Sequence, residues 1–239
     1  MTDAISLLGD SLRADAAALR STSQNVANLQ TLGYRREVSV LEPGFESLAR
    51  SAVRATELAT PTLRVANDFH AGSLQQASGP WNVALEGDGY FVLNTPSGEH
   101  VTRRGDFSVD STGRLVSHDG YAVLGDGGEI SLPDGEPTID ADGTIHVNGQ
   151  VIDRLRRVTV DAASLVQTAD GNFSPTRGAP LSDSSNSSVR QGFLESSNVS
   201  PVDEILRLME TVRHFDMTQH FVRGASDMLD NAINTLGKI

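Results

Sequence analysis

PVDEILRLMETVRHFDMTQHFVRGASDMLDNAINTL, Pro201 to Leu236, decides the architecture of this 239-residue chain. Leu208, Phe215, Val222, Leu229 and Leu236 recur at seven-residue intervals without a break. Ile205, Val212 and Ile233 form a neighbouring row, interrupted by Gln219 and Ser226. A heptad repeat of this kind fits the seam of a helix that packs lengthwise on another helix, and equally the core-facing stripe of an ordinary helical layer. Ser200 is placed to cap it, Pro201 suits the first turn, and Asp203 and Glu204 complement the positive end of the dipole. Its 36 residues span about 54 Å at ~1.5 Å per residue. That is long for a helix that packs only on a domain of this size.

The same period opens the chain. Ile5, Leu12, Leu19 and Val26 stand at sevens, and Leu8 and Leu29 lie on a companion row whose middle members, Asp15 and Thr22, are polar. Alanines at 14 and 16–18 favour helix and permit close approach. The helix stops at Leu32-Gly33-Tyr34, where Gly33 is expected to adopt the positive φ of a left-handed cap. Residues 37–80 carry little pattern and are punctuated by Pro43, Gly44, Pro61, Gly72, Gly79 and Pro80, which predicts an extended connection.

From Trp81 the character changes. Short β-type runs are expected at Tyr90–Leu93, Phe107–Val109, Leu115–Val116, Tyr121–Leu124, Ile130–Leu132, Thr144–Val147 and Val158–Val160, separated by turn residues. Asn148-Gly149 is the clearest two-residue hairpin signal. SDSSNSS, Ser182 to Ser188, reads as an exposed linker with nothing to bury. The sequence therefore predicts an α+β chain, with N- and C-terminal helices forming a coiled-coil stem around a central all-β domain. The expected divisions are 1–36 for the first helix and turn, 37–80 for the connection, 81–190 for the β domain and 191–239 for the last helix. Two apolar seams with no face on the β domain need partners, either each other or further copies of the chain.

Composition narrows the function. A net charge of -12 lacks the basic footprint of a nucleic-acid binder and argues against docking on anionic lipid. With no cysteine, disulfides, thiolate metal sites and cysteine nucleophiles are excluded. No Lys or Arg precedes Arg13 and no long apolar run follows, so neither a secretory leader nor direct membrane insertion is expected.

No catalytic constellation is found. His214 and His220 stand six apart, whereas a helical zinc pair needs i, i+4. Asp140-Ala141-Asp142-Gly143 begins like a calcium loop, but glycine comes two positions early and no Glu closes it, so it reads as a β-turn. Gly87-Asp88-Gly89 leads into an apolar β run rather than a helix and lacks the Lys and Ser/Thr of a phosphate loop. No catalytic residue, cofactor or metal is assigned, and the chain is not expected to be an enzyme.

Three blocks carry a resemblance. NVANLQTLGYRR, Asn25 to Arg36, is similar to the segment that closes the first helix in the flagellar rod and hook family, through Asn25, Asn28, Thr31, Gly33 and Arg35. GDGYFVL, Gly87 to Leu93, followed by VTRRGDFSVDSTGRLVSHDGYAVLG, Val101 to Gly125, resembles the family's central block through Gly89, Phe91, Arg103, Gly105 and Phe107. QGFLESSNVSPVDEI, Gln191 to Ile205, looks like the family's lead into the last helix through Gly192, Glu195, Ser197, Asn198 and Val199. The blocks fall in the family's order; coverage is thinnest at about 40–78 and 135–188.

The resemblance implies an axial structural subunit of the bacterial flagellum, carried out unfolded by the flagellar export apparatus without a cleavable signal. It implies terminal helices that pair into the inner tube of a filament, partners that are copies of the chain and other rod subunits, and a place in the basal body. One β domain in 239 residues fits a proximal-rod member. The competing readings are a distal-rod or hook subunit, a non-flagellar β-sandwich binding module with helical arms, and a cell-wall hydrolase.

Overall fold

Pro201–Leu236 is a single α-helix (α2), and Thr2–Ala27 is another (α1). The computed structural model describes residues 2–42, 62–168, 170–176, 179–184 and 186–236. The chain divides into two compact units, one of Met1–Ala27, Arg36–Asp68 and Ser200–Ile239, the other of Asn28–Arg35 and Phe69–Val199.

In the first unit α1 packs along α2 and along a two-stranded hairpin. The hairpin joins Glu37–Glu42 (β1) to Thr62–Asn67 (β2), in register from Glu37 opposite Asn67 to Glu42 opposite Thr62. Both strands fall where the sequence predicts unpatterned connection. EVSVLE and TLRVAN are too short and too polar to announce themselves beside the surrounding Pro and Gly.

The second unit is built on Tyr90–Thr95. This strand pairs with Gly98–Thr102 on one side and with Ala122–Gly125 and Arg157–Thr159 on the other. Alternate side chains enter two cores. Phe91 and Leu93 join Val83, Leu115, Val123 and Ile145, while Tyr90 and Val92 join Val101, Val158 and Phe173. A strand buried on both faces reads as a continuous apolar run, which is why GDGYFVL stands out in the sequence. Thr144–Val147 and Gln150–Arg154 form the hairpin expected around Asn148-Gly149, with φ of 54° and 79° at the two turn residues, the left-handed pair of a type I′ turn.

Two expectations need correction. Ile130–Leu132 is not a strand: the ladder strand is Gly128–Glu129, paired with Ala122–Gly125, and Ile130 and Leu132 supply buried side chains. The SDSSNSS stretch is not an exposed linker, since Ser184 and Ser187 are buried. Ser184 donates its hydroxyl to the carbonyl of Asp88 at 2.8 Å, and Ser188–Gln191 pairs with Val83–Glu86. Serine is buried here because its hydroxyl finds a backbone acceptor.

Candidate functional site

The second unit buries an ion cluster assembled from all three sequence blocks. Arg35 and Glu195 are fully buried, and Arg35 meets the Glu195 carboxylate at 2.7 Å. Arg103 lies 3.4 Å from the other carboxylate oxygen and donates to the carbonyl of Gly87 at 2.7 Å. Its guanidinium sits 5.2 Å over the ring of Tyr90. The Gly72 N–H donates to Glu195 at 2.9 Å. Burial pushes the Tyr90 phenol up and pulls the Arg103 guanidinium down, the latter opposed by the nearby Glu195 carboxylate. One carboxylate thus stands between two buried cations and cannot be removed without stranding both.

The neighbouring motif residues close the chain around this cluster. Gly33 has φ of 64°, as its position after the first helix demands, and its N–H donates to the Glu195 carbonyl at 2.9 Å. A Cβ on Gly33 would lie 2.8 Å from the Arg104 nitrogen. At Gly105 a Cβ would lie 1.7 Å from the Val83 carbonyl oxygen, so backbone occupies the space of a side chain. Thr31 donates its hydroxyl to Asn28 at 3.0 Å, Asn198 donates its side-chain amide to His70 at 3.0 Å, and Ser197 accepts from the Val199 N–H at 3.2 Å. Phe91 and Phe107 pack edge to face at 5.2 Å. Gly89 is buried, and Gly192 has φ of 77° and donates its N–H to Asn82 at 2.8 Å.

The first unit has its own clasp. Asn25 is buried at the end of α1 and uses both ends of its amide on the backbone of Glu37, donating at 2.9 Å and accepting at 2.7 Å. It also donates to Glu204 at 3.3 Å. Glu204 is fully buried in the first turn of α2, where the helix dipole favours an anion, and pairs with Arg36. Further along, the Nδ1 of His214 lies 2.8 Å and 2.9 Å from the two oxygens of Asp15, itself buried. The step from Asn25 back to Asp15 equals the step from Glu204 on to His214, so α1 and α2 run antiparallel in one register. Asp15, one of the two polar positions that interrupt the companion row of α1, is therefore a pinning contact, which specifies register where leucine would not. Asp15, Glu204 and His214 make contacts that spacing alone does not assign, since their partners lie far away in the sequence.

Leu208, Phe215 and Val222 share the face of Glu204 and are half-buried, as are Leu8, Leu12, Leu19 and Leu29. Ile205, Val212 and Val26 are exposed. The side chains of Ile5, Leu229, Ile233 and Leu236 lie outside the described residues. On the other side of α2 is a stripe that the heptad reading omits: Val202, Leu206, Met209, Met217, Phe221 and Met228. All six are exposed, Phe221 at 70%. Its members follow no strict seven-residue period, so a seam template passes over them.

Comparison with known proteins agrees with these features. Residues 84–147 match the flagellar hook protein FlgE/F/G D1 domain, and residues 190–235 match the C-terminal region of the flagellar basal body rod FlgEFG proteins. The flagellar basal-body rod protein FlgF of Mesorhizobium japonicum is 32% identical over 92% of this chain and 91% of its own length. FlgF of Salmonella typhimurium is 32% identical over 86% of this chain and 87% of its own. FlgG of Bacillus subtilis, also a flagellar basal-body rod protein, is 28% identical over 88% and 90%. Similarity at this level along nearly the whole of both chains makes this chain a member of the flagellar basal-body rod protein family, a structural rod subunit of the proximal-rod type.

Proposed function

We propose that the chain polymerises through its terminal helices into a hollow, torque-transmitting segment of the rod. The observation that carries this reading is the apolar stripe on α2. One side of the helix already packs on α1, so the exposed side chains on the other side have no covering surface within the described residues of the first unit. Burying even part of such a stripe stabilises an assembly, since a large apolar side chain taken fully out of water contributes about 1.5–3 kcal/mol. The partners are copies of the chain and other rod subunits, reached through the flagellar export apparatus. The subunit works mechanically in the periplasm-spanning rod, and neither nucleic acid nor membrane insertion enters. Among the described residues no helix is long and apolar enough to cross a membrane.

The test is the full-length chain carrying Phe221→Asp. The purified wild type should sediment as filaments above a threshold concentration, and the variant should stay small while its β unit melts unchanged. Cells carrying the variant should not swim. A variant that forms filaments and supports swimming like wild type would remove the reading.

A further inference from the structure

The chain has four methionines and no cysteine. Apart from Met1, all of them lie on the outward stripe of α2: Met209, Met217 and Met228 are 54%, 55% and 76% exposed. Every internal thioether thus sits on one side of one helix, beside Leu206 and Phe221. Flexible, polarizable thioethers fill irregular gaps and adapt to more than one facing surface. They are also the side chains whose polarity an oxidant can change without breaking the backbone.

We propose that this stripe is an oxidant-sensitive docking face, on which peroxide oxidation of Met209, Met217 and Met228 blocks association of α2 with a second copy of the chain. The proposal rests on the assembly reading above and names its regulation. A second copy is the occupant that the charges favour. Glu210, Arg213, Asp216, Arg223 and Asp227 are exposed and alternate in sign along the helix, a pattern complemented by a copy shifted by one step. In the observed register, Thr2 of α1 also stands at about the level of Asp227, so positions 228–236 of α2 extend past α1.

The chemistry balances with hydrogen peroxide as the oxidant. One peroxide oxygen is transferred to the sulfur lone pair as the O–O bond breaks, and the remaining oxygen leaves as water. Sulfur is oxidised by two electrons and peroxide is reduced by the same two. The product sulfoxide is polar and chiral, and a Met-rich interface that buried the thioether must now desolvate an S=O group.

The experiment uses the full-length chain, treated with hydrogen peroxide until peptide mass mapping finds sulfoxide at all three positions. Assembly is followed by sedimentation, and the β unit by its thermal melt. The oxidised chain should need about ten-fold more subunit to assemble, the factor that ~1.4 kcal/mol lost at an interface produces, with the β melt unchanged. The triple variant Met209→Leu, Met217→Leu, Met228→Leu should assemble equally well before and after peroxide, since Leu for Met is a volume-conserving exchange. Oxidised wild type that assembles like untreated protein overturns the proposal. So does a triple variant that loses assembly on peroxide, because the sensitive group then lies elsewhere. An untreated chain that stays monomeric overturns the assembly reading and this proposal with it.

Discussion

The strand Tyr90–Thr95 and the helix α2 are both apolar-rich, and the chain treats them in opposite ways. The strand lies between two cores, with Phe91 and Leu93 buried on one face and Tyr90 and Val92 on the other. The helix is covered on one side by α1 and leaves Leu206, Met209 and Phe221 exposed on the other. Burial is therefore two-sided at Tyr90–Leu93 and one-sided along α2. Large exposed apolar side chains gathered on one side of a helix are the kind of surface that serves as an interaction site.

The largest effect expected from breaking this contrast is at Glu195. Glu195→Leu leaves Arg35 and Arg103 buried without their shared carboxylate, and removing one partner of a buried ion pair costs about 3–5 kcal/mol. The β unit should lose its cooperative melt or shift it steeply downward. An unchanged melt would mean that the cluster is solvated and carries little of the fold.

A smaller loss is expected at Gly33. Gly33→Val forces a β-branched side chain into φ of 64° and against the Arg103–Arg104 backbone, a local strain of about 1–3 kcal/mol. Cells making the variant should contain the protein and swim poorly. Normal swimming would show that the turn can relax.

The smallest effect concerns the exposed turn at Asp110. Hydrogen bonds from the Thr112 hydroxyl and the Arg114 backbone N–H hold its carboxyl well below the usual carboxylate range. A depressed folded-state pKa stabilises at pH values above the unfolded carboxylate range, and the contribution fades as pH falls through the folded value. Melting of wild type and Asp110→Asn should therefore differ slightly at neutral pH and converge in strong acid. A gap that persists or widens in acid would contradict the assignment.

Much of the fold was legible because its elements carry local signatures. Two-sided burial made Tyr90–Leu93 a solid apolar run, Asn148-Gly149 announced its hairpin, and Pro201 with Asp203 and Glu204 marked the start of α2. Legibility ended where partners are distant in sequence. The pairs Arg35 with Glu195, Arg36 with Glu204 and Asp15 with His214 bring together positions at least 160 residues apart. Nothing in local spacing indicates which acid meets which base. The serines at 184 and 187 misled for a related reason: a hydroxyl is polar in composition but can be satisfied inside by a carbonyl that only the fold supplies. The outward stripe escaped because a seven-residue template finds a single seam, and α2 is apolar on two sides.

If a neighbouring subunit covers the outward side of α2, that side must become inaccessible on assembly. The absence of native cysteine allows a direct measurement, because Leu206→Cys introduces a unique thiol on that side. Its rate of modification by a small thiol reagent is compared in the isolated subunit and in sedimented filaments. Rapid modification of the subunit and strong protection in the filament are expected. Equal rates in the two states would place the stripe in solvent throughout and rule out a covering neighbour.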